Sequence, residues 1–222
     1  MQVFDFPQYS PQWWAIRRGV PTGSNADRVI MPKKAQLSSQ AEGYACDLIA
    51  EKYDAYYGQQ DEYVTAAMKN GTIMEPESRR FYEFTRDCEV QQVGFVLTDD
   101  GRFGCSPDSL VGDDGGLELK NPKTSTHVRY LINGGLPDEY RPQCHWFLVV
   151  TGRAWIDFMS YSPGLPHLLA RVEPDEYTEK LRGCMEQFWE LYQKLDAKIA
   201  ASRESAIEAA IDAAGGPEES YF

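Results

Sequence analysis

Apolar residues recur along residues 39–57 at the three- and four-residue spacing of a helix that packs on one side. Ser39 and Glu42 precede this run as a Ser-x-x-Glu capping box, so a helix is predicted from residue 39 to 57. The same spacing near the C-terminus predicts a long final helix. Its apolar stripe consists of Tyr177, Leu181, Met185, Phe188, Tyr192, Leu195 and Ile199.

A second helix is predicted to begin at Thr72, because Thr72 and Glu75 form another capping box. Pro76 would then lie in the first turn, where a missing N–H costs little. The helix would continue through the segment ESRRFYEFT.

Short segments rich in Val, Phe and Leu follow, separated by Asp and Gly, which is typical of antiparallel strands joined by tight turns. The segments are CEVQQVGFVLT, GRFGCS, DSLV and GLELK. A short helix at TSTHVRYLI and two more strands, CHWFLVV and RAWIDFMS, precede the final helix. The order αα-ββββ-α-ββ-α predicts an α/β fold with one mixed sheet flanked by helices.

The length of 222 residues suits one α/β domain, predicted at 1–200, followed by an Ala-rich helix or tail at 201–222. Apolar runs are too short to span a membrane, and the N-terminus lacks the layout of a signal peptide. We therefore expect a cytoplasmic protein without a membrane partner. The five cysteines contain no C-x-x-C pair, which disfavours a zinc or iron–sulfur site.

The net charge of −12 argues against broad binding to a polyanion, so any nucleic-acid site must be a local basic feature. One candidate is the N-terminal run of basic residues. It comprises Arg17, Arg18, Arg28, Lys33 and Lys34.

Acidic residues interrupt the strand-like segment CSPDSLVGDDGGLELKNP. A turn at Gly112 to Gly115 would place Asp108 nearly opposite Leu119, one step from Glu118. Glu118 and Lys120 would share one face of the strand, and the neighbouring leucines the other. Two close carboxylates favour a divalent cation, and hard oxygen ligands suit Mg²⁺, with Mn²⁺ as a substitute. An exposed acidic turn with a Glu/Lys ladder is the alternative interpretation.

Four blocks of this sequence, in order, resemble the λ exonuclease and YqaJ-like recombination nucleases of the PD-(D/E)XK superfamily. CSPDSLVGDDGGLELKNPKTS is similar to the family block with S-P-D-G-L and G-L-E-L-K-C-P. WWAIRRGVPTGSNADRVI resembles its W-x-x-x-R-x-G-x-x-T-A-S block. NGTIMEPESR resembles its G-x-x-x-E helix, and YRPQCHW its Y-x-x-Q-x-Q segment.

The resemblance implies a restriction-endonuclease-like fold with a central mixed β-sheet flanked by helices. It also implies Mg²⁺-dependent 5′→3′ hydrolysis of double-stranded DNA ends, a ring-shaped homotrimer, and a single-strand annealing protein as phage- or prophage-encoded partner. Asp108, Glu118, Glu75 and the Leu119 carbonyl would hold metal.

The resemblance also implies roles in handling the water and the DNA end. Lys120 would serve the attacking water, and Gln143 would position the water or the scissile strand. Arg17, Ser24 and Ser106 match the family's pocket for the 5′-phosphate, where a guanidinium and hydroxyl donors make chemical sense.

The sequence departs from the family pattern at Ser109, Asn121 and His145, which stand in place of Gly, Cys and Gln. Glu75 could also be a capping-box residue alone, and Ser24 and Ser106 ordinary turn residues. A non-catalytic scaffold for DNA ends or for an annealing protein, and another nuclease of the same superfamily, remain alternative functions. His127 is expected at the surface.

Overall fold

The computed structural model describes residues 1–55, 57 and 66–213. The helices are α1 (Pro11–Arg17), α2 (Ala41–Tyr53), α3 (Ala66–Arg86), α4 (Thr124–Asn133), α5 (Arg141–Thr151) and α6 (Glu176–Ala213), with 3₁₀ helices at Gly23–Arg28 and Asp138–Tyr140. The strands are β1 (Gln2–Phe4), β2 (Val90–Gln91), β3 (Phe95–Leu97), β4 (Gly104–Cys105), β5 (Ser109–Val111), β6 (Gly115–Lys120), β7 (Trp155–Ser160) and β8 (Leu168–Val172).

A five-stranded mixed sheet in the order β2-β5-β6-β7-β8 forms the centre of the fold. β6 and β7 are parallel, and the other neighbours are antiparallel. Two strands of the predicted meander do not join it, because β3 and β4 form a separate three-stranded sheet with β1. The chain leaves that sheet at Ser106-Pro107, where proline has no N–H to continue a ladder. The prediction of a single sheet was therefore wrong.

Helices cover both faces of the central sheet. On one face, α2, α5 and α6 pack around side chains that are fully buried, among them Trp146, Phe158 and Phe188. On the other face, Tyr82 of α3 packs on Leu117 and Met159. The predicted fold class, a restriction-endonuclease-like α/β fold with a central mixed sheet flanked by helices, is confirmed.

The segment CHWFLVV, predicted as a strand, lies inside α5. Pro142 stands in its first turn, and Gly152 ends it in the left-handed conformation with its N–H bonded to the Leu148 carbonyl. The prediction failed because almost every residue of this helix is buried. An apolar run buried on all sides has no period that separates a helix from a strand.

The two predicted capping boxes do not cap their helices. α3 begins at Ala66, so Thr72 lies within it and Pro76 is an interior proline. α2 begins after Gln40, which makes no side-chain cap bond, rather than after Ser39. Residues 66–69 read Ala-Ala-Met-Lys, all good helix formers, which explains why α3 extends beyond the predicted start.

The final helix α6 follows the predicted apolar stripe and continues through residue 200 to Ala213. The tail predicted at 201–222 is thus helical as far as Ala213, and residues 214–222 lie outside the described residues. Within the described part of the chain, no helix combines the length and apolar character needed to cross a bilayer.

Candidate active site

β6 carries two of the predicted catalytic residues on one face, as its alternation predicts. Leu117 and Leu119 are buried in the cluster beneath α3, so Glu118 and Lys120 take the opposite face. Only 4% of Glu118 is exposed, which makes it a buried carboxylate within the central sheet. A buried charge needs partners, and neighbouring residues supply them.

Asp108 stands just before β5 and reaches β6 through its side chain. The β5–β6 ladder ends with Ser109 opposite Leu117, so one further step would set Asp108 opposite Glu118, not Leu119 as the turn had predicted. The Asp108 carboxylate nevertheless accepts a hydrogen bond from the Leu119 N–H at 2.6 Å. The Leu119 backbone and the Asp108 carboxylate are therefore adjacent.

The Glu118 carboxylate accepts hydrogen bonds from two of the other predicted residues on the same oxygen. Lys120 Nζ donates to Glu118 Oε1 as an ion pair, and Gln143 Nε2 donates to that atom at 2.6 Å. Gln143 comes from the first turn of α5, directly after Arg141-Pro142. Lys120 Nζ also lies 5.3 Å from the centre of the Tyr140 ring, a cation–π distance.

Glu75, on α3, forms an ion pair with Arg79 one turn further along the helix. Arg79 Nε also donates to Ser109 Oγ at 3.2 Å, and its Nη2 lies 3.5 Å from the Asp108 carbonyl. Arg79 therefore ties the helical Glu75 to the start of β5. The sequence interpretation missed this residue, although the Glu75-x-x-x-Arg79 spacing is a signal for such a pair.

The three carboxylates share one electrostatic environment. Burial raises the pKa of Glu118 to about 7, against the opposing effect of Lys120. Burial also raises the pKa of Asp108, and burial together with the Asp108 charge raises that of Glu75. Burial on its own would lower the pKa of Lys120, but Glu118 and Asp108 outweigh it and raise that pKa. Additional positive charge is therefore favoured here.

Arg17 and Ser106, two residues predicted to bind a 5′-phosphate, are in direct contact. Arg17 Nη1 donates to Ser106 Oγ at 3.2 Å, and its Nη2 donates to Thr22 Oγ1 at 3.4 Å. Ser24 Oγ lies 3.3 Å from Thr22 Oγ1. The guanidinium carbon of Arg17 lies 4.1 Å from the centre of the Trp13 ring. Thr22 was not among the predicted residues.

A narrow cavity of about 40 Å³ joins this pocket to the acidic face of β6. Its wall includes Arg17, Ser24, Ser106, Glu118 and Gln143. Pro107 also lines it, whereas Asp108 and Glu75 line a different cavity of about 410 Å³. The Pro107-Asp108 segment therefore borders two cavities, one on each side.

The predicted metal ligands are neighbours but do not converge on one point. In the part of the chain that the structure describes, no three His, Cys, Asp or Glu side chains are placed together as a metal site. Each carboxylate instead has a partner from the chain: Glu118 has Lys120, Glu75 has Arg79, and Asp108 has the Leu119 N–H. The donor chemistry nonetheless fits a hard divalent cation, since carboxylate and carbonyl oxygens are its preferred ligands.

His145, one of the three departures from the family pattern, points away from the carboxylates. His145 lies two residues after Gln143 and faces the other way, with Nδ1 2.8 Å from Thr178 Oγ1 of α6. Residues two apart on a helix point to nearly opposite sides. Asn121 Nδ2 donates to Ser78 Oγ at 3.3 Å. His127, expected at the surface, is fully buried between Ser160 Oγ at 2.7 Å and the Pro166 carbonyl at 2.9 Å.

The fold, with Asp108 just before β5 and Glu118 and Lys120 on β6, is of the restriction-endonuclease-like class. The chain belongs to the family of YqaJ-like viral recombinase domains, whose family model matches residues 12–154. The resemblance stated from the sequence motifs is thereby confirmed.

Solved structures agree with this assignment. The chain is 30% identical to the alkaline exonuclease LHK-Exo from Laribacter hongkongensis, with a TM-score of 0.69 over 86% of this chain and 99% of that one. A structure of LHK-Exo in complex with dAMP gives a TM-score of 0.75 over 90% and 100% of the two chains, at the same identity. A phage-related exonuclease from Haemophilus somnus 129PT, 12% identical with a TM-score of 0.60 over 81% and 96%, shares the fold. Among curated proteins, none matches this sequence.

Proposed function

We propose that this protein is a Mg²⁺-dependent exonuclease that degrades one strand of linear double-stranded DNA in the 5′→3′ direction. It begins at 5′-phosphorylated ends and leaves 3′ overhangs for single-strand annealing. The nuclease class follows from the family and fold. The polarity, the metal and the choice of end are inferred from the residues around Glu118.

One observation carries the proposal: the wall of a single narrow cavity contains both the candidate phosphate donors and a candidate catalytic carboxylate. Arg17 and Ser106 are held 3.2 Å apart, so they present N–H and O–H donors together. A guanidinium and a hydroxyl form strong charge-assisted hydrogen bonds to phosphate oxygens.

The size of the cavity favours a terminal phosphate over an internal one. A volume of about 40 Å³ accommodates little more than one small group. An internal phosphodiester continues on both sides and would need an open groove, whereas a 5′-phosphate ends the strand. A phosphate bound there would bring the next phosphodiester of the same strand towards Glu118 and Lys120.

In this proposal, Asp108, Glu118, Glu75 and the Leu119 carbonyl hold the metal. When bound there, the metal would supply positive charge to polarise the scissile phosphate and to lower the pKa of a coordinated water. A bound cation would supply the positive charge that Lys120 and Arg79 now provide to Glu118 and Glu75. Lys120 and Gln143, which both donate to Glu118, are then placed to orient the attacking water. Protonated Lys120 also offsets the negative charge that develops on the phosphate.

The proposed partners follow from the family. We infer a homotrimeric ring around DNA, a single-strand annealing protein as a partner, and a phage or prophage origin with action in the host cytoplasm. The net charge of −12 is compatible with a ring whose outer surface is acidic and whose inner surface carries Arg17 and Arg18. Size-exclusion chromatography with light scattering measures the oligomeric state directly.

Digestion of labelled linear, nicked and closed circular duplexes tests the proposed function. Each linear substrate is prepared with 5′-phosphate or 5′-hydroxyl ends, and each reaction is run in Mg²⁺, in Mn²⁺ and in EDTA. We expect mononucleotides from phosphorylated linear ends, little product from hydroxyl ends, and none in EDTA. Cleavage of closed circles would indicate an endonuclease, and binding of ends without any cleavage would indicate a scaffold.

A further inference from the structure

The loop before α1, residues 5–10, forms one wall of the cavity that contains the carboxylates Glu75 and Asp108. This cavity of about 410 Å³ is separate from the narrow phosphate pocket. Its wall includes Phe6, Gln8, Tyr9 and Gln92 as well as the two carboxylates. Aromatic rings, amides and carboxylates thus surround one space beside the candidate catalytic centre.

The loop is fixed to the catalytic segment by short contacts. Gln8 Nε2 donates to the Pro107 carbonyl at 3.3 Å, next to Asp108. The Phe6 carbonyl packs against Gly94 so closely that a Cβ atom at residue 94 would lie 2.0 Å from it. Only glycine permits that approach. The position of the loop is therefore set by the same strands that hold the candidate site.

Tyr9, in this loop, has a backbone conformation that tyrosine seldom adopts. Its φ is +66°, in the left-handed region that favours Gly and Asn. The residue is 58% exposed, so core packing does not account for an aromatic side chain here. Its ring lies 5.0 Å from the ring of Trp13 and 6.4 Å from that of Trp14. A strained, exposed aromatic beside a reactive centre is evidence for a binding role.

We propose that Tyr9 is a stacking platform for a nucleobase of one of the two nucleotides that flank the scissile phosphate. The proposal rests on the proposed DNA-cleaving function and specifies how the protein binds a base of its substrate. A base is flat and aromatic, and the phosphate attached to it would extend towards Asp108 and Glu75. Stacking on an aromatic ring is tolerant of sequence, because every base has a π-face, and an exonuclease must accept all four bases.

Two substitutions distinguish the contribution of the Tyr9 ring from that of the Tyr9 backbone conformation. Tyr9→Asn removes the ring but tolerates the left-handed conformation, and Tyr9→Phe keeps the ring. The wild type and each variant are incubated with 5′-phosphorylated duplexes. In these duplexes, the first or the second nucleotide at the 5′ end is either normal or abasic. For the wild type, we expect kcat/KM to fall about tenfold at one of the two abasic positions. Tyr9→Phe should retain this discrimination, and Tyr9→Asn should cleave both substrates at equally reduced rates.

Phe84→Asn is the matched control, since Phe84 is an aromatic residue on α3 with 86% exposure that does not line this cavity. It should discriminate like the wild type. Equal discrimination by the wild type and Tyr9→Asn, or no discrimination by the wild type, would overturn the stacking proposal.

If the wild type cleaves no duplex, the proposed function fails while the stacking proposal stays testable. Fluorescence anisotropy in EDTA then compares the affinities of the wild type and Tyr9→Asn for normal and abasic ends. A preference for the normal end that is lost in Tyr9→Asn supports stacking. The same preference in both proteins refutes it.

Discussion

The Asp108 carboxylate accepts the Leu119 N–H at 2.6 Å, which connects the residue before β5 to the C-terminal end of β6. This bond fixes the position of one candidate metal ligand relative to the Leu119 carbonyl and Glu118. It also explains how a hairpin with only three paired positions holds its charged end in register.

Replacing Lys120 should separate binding from cleavage. Lys120→Ala removes the cation beside Glu118, so we expect the cleavage rate to fall about 10³-fold, the order lost when a group that stabilises transition-state charge is removed. DNA affinity should change little. Single-turnover cleavage and anisotropy measure the two quantities. An unchanged cleavage rate would refute the role of Lys120.

Replacing Arg17 should abolish recognition of the 5′-phosphate. Arg17→Ala removes the donor that contacts Ser106, and we expect kcat/KM on phosphorylated ends to fall about 10- to 100-fold. Activity on 5′-hydroxyl ends should remain close to that of the wild type. A comparable loss on both substrates would assign Arg17 to general DNA binding instead.

Replacing Arg79 should affect both stability and catalysis. Arg79 is buried and contacts Glu75, Ser109 and the Asp108 carbonyl, so Arg79→Gln leaves several polar groups without this donor. We expect a loss of about 2 kcal/mol in the free energy of unfolding, measured by urea titration, because a buried polar group such as Ser109 Oγ loses its donor. In Arg79→Gln, the fold decrease in kcat should be larger than the fold change in KM. The exposed neighbour Arg80 is the control, and Arg80→Ala should change the stability by less than about 0.5 kcal/mol.

His145 should make the fold less stable in mild acid. Burial lowers the pKa of His145, although Asp175 opposes this effect. The unfolded chain therefore binds a proton at a pH where the folded His145 does not. Its contribution to stability is complete above about pH 6.5 and is lost as the pH falls below that value.

His145→Gln should flatten this pH dependence in the range just below about pH 6.5. The slope of unfolding free energy against pH should decrease by at most about 1.4 kcal/mol per unit. Asp175 does not interfere in this window. Its carboxylate is half exposed; desolvation alone would raise its pKa, but His145 and the N–H groups of Thr178 and Tyr177 lower it, so its contribution is lost only below about pH 3.9. An identical slope in the variant would show that His145 protonates equally in both states.

Several neighbours within the candidate site could be predicted from the sequence because they come from short motifs with a fixed period. Glu118 and Lys120 share a face since they are two apart on a strand, and Gln143 reaches Glu118 although its segment was predicted only by resemblance. Contacts between distant segments carry no such local signal. Thr22 beside Arg17, and Arg79 beside Ser109, became visible only once the elements were placed in space.

The errors in the predicted fold come from uniformly buried segments and from sequence motifs that occur by chance. α5 was taken for a strand because its apolar residues leave no polar face to reveal the period. The Thr72–Glu75 capping pattern occurs inside α3, where four-residue patterns of this kind arise by chance. β1 and α1 were not predicted, because both are short and are held by contacts to distant segments, such as Trp13 Nε1 to the Gly94 carbonyl at 3.1 Å.

Asp108 should stabilise the protein only when a metal is bound. Without one, its raised pKa and its repulsion of Glu75 show that its charge is unfavourable in this environment. Asp108→Asn removes the charge and can still accept the Leu119 N–H. We therefore expect its Tm in EDTA to equal or exceed that of the wild type.

Saturating Mg²⁺ should then reverse the order of stability. At about 100 times the Kd, ligand binding adds about 2.7 kcal/mol to the wild type, which raises Tm by about 5 °C or more. Asp108→Asn should show little of this rise and no cleavage. Asp113→Asn, in the exposed turn of the same hairpin, controls for a general effect of charge and should respond to Mg²⁺ like the wild type. A full Mg²⁺ response in Asp108→Asn would mean that the metal binds elsewhere, because a ligand that has lost its charge cannot retain the same affinity for a hard cation.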